Sequence, residues 1–578
     1  MNSRMNKNRF FLLWAFVCIA ANFFFTFSKP HEGDLGFWQA WVRQLMNGGF
    51  GNFNGDYPPV YVLWLWVVGK FYSLAGLEVH KNFLLKFLCL VPVYFAHLGI
   101  LQIVWRWICP RKMEALKKHL VLGFAALNPA LLAGGPMWGQ VDLFPLVFAM
   151  LSLSFAFSRK KMFLSFPFFV LAVLTKFQMI AFLPVLGALW IRRCKIAWKG
   201  IPLAFLVVAF AFVPFAVSGS LSSVLTNAYV KSTSMYPYTT FNAANLWMLL
   251  CGNVAPDNIP LFGLSPEGLG KFATVNVIGK LLFVLFSVWI FVRSFRVRNP
   301  RNAFKFATLM GIAFFAVLPE MHERYIVCAV PAALLWASRA NLSVFPWTLL
   351  IAFFAAGNIL MINGFRGDDL WIPLSLLLCA SFVVLVLLEI FPKAKRFGIC
   401  VLNKIPPKNF LPYAALLALT TLFACVQAVR MIPVSAKLED GDILLYSLQR
   451  LSADQDYKSP QNGFSVEENP LTVHGKIYLD GIGAHAPSKL VYKLPPAADS
   501  LRFGYALDDE APSGELRFRI RLDGKIVWSS GVVRGRNAPI FTAISLRGAE
   551  TLTLELDSHG SDFSDHGDWL LPVVTTLK

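Results

Sequence analysis

Six short stretches between residues 31 and 325 hold the side chains best placed to do chemistry. They are HEGDLGFWQAW at His31–Trp41, GDYPP at Gly55–Pro59, NPALLAGGPMWGQVD at Asn128–Asp142, LTKFQ at Leu174–Gln178, FNAANLW at Phe241–Trp247 and LPEMHERY at Leu318–Tyr325. Asp34 suits a general base, because a carboxylate held at a water–lipid boundary can accept the proton of a substrate hydroxyl. The apolar positions after it, Leu35, Trp38, Trp41, Val42 and Leu45, have helical spacing. Asp34 therefore equally suits the cap of a helix lying along a membrane surface. LPEMHERY is denser: Glu320, His322, Glu323 and Arg324 interrupt two apolar runs. An Arg and a His beside carboxylates can bind an anionic group and stay charge-balanced. Lys176 can pair with a phosphate or snorkel to lipid headgroups. Gln140 and Asp142 open an apolar run, where polar groups need a partner, either a substrate or a neighbouring helix. Asn242, Asn245 and Trp247 can hold a sugar through amide hydrogen bonds and ring stacking, or form a turn beside an interfacial aromatic.

Other chemistries lack their residues. The zinc-peptidase pattern HExxH fails, since the residue four after His322 is Ile326. There is no Walker A loop, no GxGxxG at a strand–helix turn and no CxxC or Cys/His metal spacing among the nine Cys, which end at Cys425. No cofactor or metal site is expected, and a divalent-cation requirement stays open. Phosphate handling then falls to side chains, which suits a lipid-linked phosphate better than a nucleotide. No basic–aromatic groove points to nucleic acid.

The elements that must position these residues are membrane spans. Of 578 residues, 56% are hydrophobic and 15% charged, with 54 Phe and 17 Trp, far from a soluble balance. Residues 1–432 carry 38 Lys+Arg against 13 Asp+Glu, and residues 433–578 carry 15 against 20. Apolar runs predict about thirteen spans: 9–28, 83–105, 119–134, 138–158, 162–175, 177–191, 199–218, 274–294, 302–318, 325–340, 345–363, 370–391 and 410–431. The first is read as a retained signal anchor. Tyr57–Ala75 is apolar enough to span, but counting it puts the Arg106–Lys118 cluster outside, against the positive-inside bias. It is therefore expected as an interfacial helix started by Pro58-Pro59. The chain is then an integral membrane protein with its C-terminus outside. Of the 13 carboxylates before residue 433, 11 fall at the outer edge, Asp34, Asp142 and Glu323 among them.

In order and spacing, the six motifs resemble the GT-C superfamily of polyprenyl-phosphate-sugar-dependent glycosyltransferases. They look closest to bacterial relatives of the GPI-anchor mannosyltransferases, and are similar to the glucosyltransferases that extend the N-glycan precursor. The resemblance implies two juxtamembrane helices in the first outer loop. It implies an acidic catalytic base at Asp34, with Asp56 of the DYPP element in reserve. It places His322, Glu323 and Arg324 near the donor phosphate, and Lys176 and Gln178 on the same surface. It also implies a bacterial cytoplasmic membrane and a glycan, lipid or protein acceptor, while the positive-inside bias puts the active site on the extracytoplasmic side.

After Pro433 the pattern changes to short β-rich runs, such as Leu490–Leu494, Leu501–Ala506, Leu516–Leu522 and Thr551–Leu556. Asp523-Gly524 marks a hairpin between Leu516–Leu522 and Lys525–Ser529. A β-sandwich or jelly roll is expected. VHGKIYLDGIGAHAPSKLVYKL at Val473–Leu494 and HGDWLLP at His566–Pro572 are similar to the NPCBM-type putative carbohydrate-binding modules, with His485, Asp568 and Trp569 read as structural. The expected layout is a GT-C-like helical membrane domain over 1–432, a linker over 433–464 and an all-β module over 465–578. The expected activity is inverting transfer of a hexose, mannose or glucose. A flippase for lipid-linked saccharides and a membrane-anchored carbohydrate receptor are the rival readings.

Overall fold

The structure is a computed structural model. It describes every residue except 1, 111–114, 159, 232–234, 259, 262–271, 340–343, 361–370, 392–432, 475, 512–513, 536, 561–563 and 578. The chain divides into two compact units. One comprises Met1–Thr26, Gly33–Val79 and Lys86–Ala424, and the other Phe27–Glu32, His80–Leu85 and Cys425–Lys578.

The first unit is helical. Helices stand at twelve of the thirteen expected spans, and the run 410–431 lies outside the described residues. Among the described residues, six helices are long and apolar enough to cross a membrane, so this is an integral membrane protein: Arg9–Thr26, Phe83–Ile108, Ala115–Met137, Cys194–Val217, Val275–Phe295 and Trp371–Ile390. Breaks interrupt the apolar helices, long and short. Asn128 caps a new turn through Ala130 N and Leu131 N, a π-helical turn follows over Ala133–Met137, and Lys176 ends Ser165–Thr175 with extended backbone. These breaks carry the polar motifs.

Two helices fill the first loop, as expected. Glu32–Gly48 begins before Asp34, so Asp34 sits inside the first turn and is not the cap that its spacing suggested. Pro59–Ala75 starts at Pro59 and ends at Gly76, whose φ of 65° is a left-handed C-cap. Gly69 lets the pair approach: a Cβ there would lie 3.0 Å from Met46 Cγ. Pro300–Val317 is buried on all sides from Ala303 to Ala316. Gly311 brings it against Ala329, where a Cβ would meet Cα at 2.7 Å. Its far end delivers LPEMHERY.

The second unit is an all-β sandwich. One sheet has the order Ile540–Ser545, Ala498–Leu507, His566–Thr576, Gly481–His485 and Gln461–Asn462, with Ile443–Leu444 also on His566–Thr576. The other has Lys525–Ser529, Glu515–Leu522, Thr551–Ser558, Ser488–Lys493 and Arg450–Gln455, with Val533–Arg534 also on Glu515–Leu522. Alternating side chains such as Leu490, Tyr492, Phe503, Phe518, Ile520, Leu554 and Trp569 fill the space between. The predicted hairpin forms, with Lys525 paired to Leu522 and positive φ at Asp523 and Gly524.

One expectation for this unit is corrected, and one strand is added to those expected. Ile443–Leu444, Arg450–Gln455 and Gln461–Asn462 already pair into the sheets, so the sandwich begins before residue 465 and most of the supposed linker belongs to it. Arg450–Gln455 and Gln461–Asn462 are polar strands at the sheet edges without a buried period, and Ile443–Leu444 is only two residues long. Gly481–His485 was unread as a strand because all five residues are buried and nothing alternates. Gly483 is needed there, since a Cβ would meet Phe464 O at 2.5 Å. Leu554 is 1% exposed in this core. Leu554→Ala is expected to cost about 2–5 kcal/mol, measured by urea unfolding of a 433–578 fragment.

Candidate active site

The broken helix ends of the first unit meet around a cavity of about 530 Å3, within the ~300–1,000 Å3 typical of small-molecule sites. Asp34, Asp56, Gln140, Lys176, Gln178, His322 and Arg324 line it. Glu323 and Asp142 are buried directly behind that wall, 2% and 4% exposed.

Arg324 is the hub. Its Nη1 donates to Glu323 Oε1 at 2.6 Å. Its Nη2 lies 3.8 Å from Asp34 Oδ1, and its Nε lies 3.9 Å from Asp142 Oδ2. Asp142 Oδ1 takes the Lys176 ammonium. The other Asp34 oxygen accepts the Trp138 indole N–H. Asp34 is therefore held from two sides and still faces the cavity.

Backbone and aromatic contacts fix these groups. Trp38 Nε1 donates to Gly139 O at 3.0 Å, and Tyr57 Oη donates to Gln140 Oε1 at 3.1 Å. Trp38, Trp41, Tyr57 and Tyr61 pack edge-on or tilted, with ring centroids 5.1–5.7 Å apart. They bind the first-loop helices to the Gly139–Asp142 segment. Lys176 sits over the Tyr57 and Tyr325 rings at 5.3 and 5.6 Å. Asn358, a single amide in an apolar helix, donates to Glu323 O at 2.6 Å and accepts from Ala244 N at 2.9 Å. It ties the LPEMHERY loop to the FNAANLW loop, whose Phe241 N also donates to Met321 O at 2.9 Å.

Burial and neighbouring charges shift these groups in different directions. Burial pushes the His322 imidazole below its usual range, and the neighbouring Glu323 offsets this only in part. Burial works to raise the Glu323 carboxyl, but Arg324 pulls it below the usual carboxylate range. Asp56 is pushed up by burial more than Lys176 pulls it down. Three buried atoms of this group make no hydrogen bond: His322 Nε2, Arg324 Nε and Asp142 Oδ2.

Besides Glu323 and Asp142 behind the wall, three sequence candidates lie outside the cavity lining altogether. Asn245 caps Leu246–Cys251 through Trp247 N and Met248 N and donates to Phe315 O. Trp247 is 1% exposed, with its indole donating to Val317 O at 2.7 Å. Asn242 pairs with Asn253 at the surface, at 2.7 Å. The expected sugar contacts of FNAANLW are replaced by loop-holding bonds. Conversely, Tyr57, Tyr236, Tyr325 and Trp138 take part without having been singled out. Tyr57 and Tyr325 stood inside recognised motifs, whereas Asn358 gave only the weak signal of a lone amide in an apolar run.

Comparison with known proteins divides along the same lines as the fold. Residues 441–575 match the NPCBM/NEW2 domain, so the β unit carries that domain. A curated relative, alpha-1,3-galactosidase B of Akkermansia muciniphila, is 35% identical over 105 residues. The match takes in 17% of this chain and only 13% of that protein. A solved CBM51 from Clostridium perfringens GH95, in complex with methyl-galactose, is 28% identical over 23% of this chain and 99% of its own, with a TM-score of 0.22. ArnT from Cupriavidus metallidurans, solved bound to undecaprenyl phosphate, is 15% identical over 65% of this chain and 76% of its own, with a TM-score of 0.37.

His322 gives a pH test. Its folded-state pKa lies below the 6.5 of a free imidazole, so the unfolded chain binds a proton first. That contribution is complete above about pH 6.5 and is lost as the pH falls below it. Thermal melting in detergent is expected to drop between about pH 7.5 and 5.5, and His322→Gln is expected to flatten that slope. An unchanged slope would remove the buried neutral imidazole from this account.

Proposed function

We propose that this protein is a membrane glycosyltransferase that moves a hexose, mannose or glucose, from a polyprenyl-phosphate donor to a glycan, lipid or protein acceptor. The observation that carries the reading is the cavity in which Asp34 faces open space within 3.8 Å of Arg324. A base for a hydroxyl and a cation for a leaving phosphate stand side by side. The order of the six motifs supports it independently. The basic clusters beyond the opposite helix ends support placing the site on the extracytoplasmic side of a bacterial cytoplasmic membrane.

In the proposed reaction Asp34 accepts the proton of the acceptor hydroxyl as its oxygen attacks the anomeric carbon. The bond from that carbon to the phosphate oxygen breaks, and the electron pair leaves with the phosphate. Arg324, held by Glu323, turns Nη2 and Nε towards the new charge, and Lys176 adds a second cation. His322 stays neutral and offers Nε2 as a hydrogen-bonding atom. A single displacement inverts the anomeric centre. Asp56, nudged towards its neutral form, suits a hydrogen bond to the sugar better than the role of base.

Incubation of the purified protein with defined polyprenyl-phosphate sugars, followed by mass spectrometry of acceptors, tests the activity. Asp34→Asn is expected to lower transfer by roughly 10²–10⁴-fold, the range for loss of a general base, with donor binding kept. Near-normal turnover in that variant would take the base away from Asp34.

A further inference from the structure

The cavity has a second, apolar side that the reaction does not use. Phe177, Ile180, Phe283 and Phe314 line it, together with one cation, Lys280. Lys280 lies in the second turn of Val275–Phe295, a helix whose other basic residue, Arg293, sits in its last turn. Leu281, Leu282, Val284, Leu285 and Val288 of that helix are 41–57% exposed, the surface of a helix turned to lipid. Lys280 and Phe283, three residues apart and so on one face, look into the cavity. The Lys280 side chain is itself 50% exposed. It stands where the lipid-facing surface meets the opening of the site.

A charge one turn into an apolar helix is costly and usually functional. Its partner is Glu320, at 3.2 Å. Glu320 does not depend on it, since the same oxygen accepts Asn276 Nδ2 at 2.8 Å. The loop also holds Glu320 in place: its N–H donates to Tyr238 O at 3.0 Å, and its φ is +61°, a conformation non-glycine residues take at functional sites. A half-exposed ion pair is weak and readily exchanged. Lys280 is thus parked on a fixed carboxylate and free to swing to another anion.

We infer that Lys280 captures the phosphate of the lipid-linked donor as it leaves the bilayer, handing it from Glu320's side of the opening to Arg324 while the first isoprene units settle on Phe283 and Phe314. This rests on the donor class proposed above and adds the residue that selects it. The occupant is an isoprenoid phosphate, because the cation and the apolar wall lie side by side on one opening. An ordinary anionic phospholipid is the competitor to exclude.

The test follows association of a fluorescent long-chain polyprenyl phosphate with the full-length protein in nanodiscs, beside the matching polyprenol and with phosphatidylglycerol as competitor. Lys280→Gln is expected to slow association of the phosphate roughly tenfold, the lower end of electrostatic steering. Lys280→Arg should restore it, and the polyprenol should be indifferent to either change. An unchanged rate in Lys280→Gln, or equal competition by phosphatidylglycerol, overturns the inference. Because no transfer is measured, the two readings separate. Lys280-dependent capture without transfer from any donor removes the enzyme and keeps the capture site. Transfer with capture indifferent to Lys280 does the reverse.

Discussion

Arg324 lies buried among carboxylates supplied by three separate parts of the chain. Glu323 is its neighbour, Asp34 comes from the first-loop helix, and Asp142 follows the π-helical turn. A buried guanidinium is tolerated only where anions surround it, and removing one partner of such a set typically costs about 3–5 kcal/mol. The requirement works in both directions. Three stretches, separated by more than a hundred residues each, must converge so that none of these charges is left alone. Lys176 extends the set by taking the second Asp142 oxygen, and the first-loop helices, the LTKFQ turn and the LPEMHERY loop are held to one point.

That network is not fully closed. Arg324 keeps Nε without a hydrogen bond, and His322 and Asp142 each keep one open atom. Carboxylates outnumber the cations Lys176, Arg324 and Lys280 around the cavity, a balance that by itself repels anions. Burial answers part of this by moving Asp56 and Glu320 towards their neutral forms, against the pull of Lys176 and Lys280 respectively. Glu323 remains ionised and devoted to Arg324. The site is therefore less acidic than its residue types imply.

The β unit solves a different problem, the packing of two antiparallel sheets, and uses different means. Its core forms from alternating apolar residues, and its tightest contacts come at glycines such as Gly483 and Gly567, where backbone or leucine side chains approach. Asp568 and Trp569, read as structural, are both buried in it, at 1% exposure. Burial and then the nearby Asp508 push the Asp568 carboxyl well above the usual carboxylate range.

The sequence by itself determined the two-part architecture, because the hydrophobic length of a span and the period of a strand are local properties. It determined the helix start at Pro59 and the Asp523-Gly524 hairpin for the same reason: proline and glycine restrict or free φ wherever they stand. It also picked out Asp34, His322 and Arg324, whose charge is anomalous between apolar runs. What it left undecided are matters of partnership. Asn245 and Trp247 had the composition of a sugar site, but the fold gives their hydrogen bonds to Phe315 and Val317 carbonyls. Trp138 gave no signal of its own, yet its indole holds Asp34. Asn358 and Lys280 were isolated polar residues in apolar stretches until other elements were packed against them. Gly481–His485 had no period to read because both its faces are covered. Which polar atom meets which depends on helices brought together across hundreds of residues, and only the tertiary structure places them.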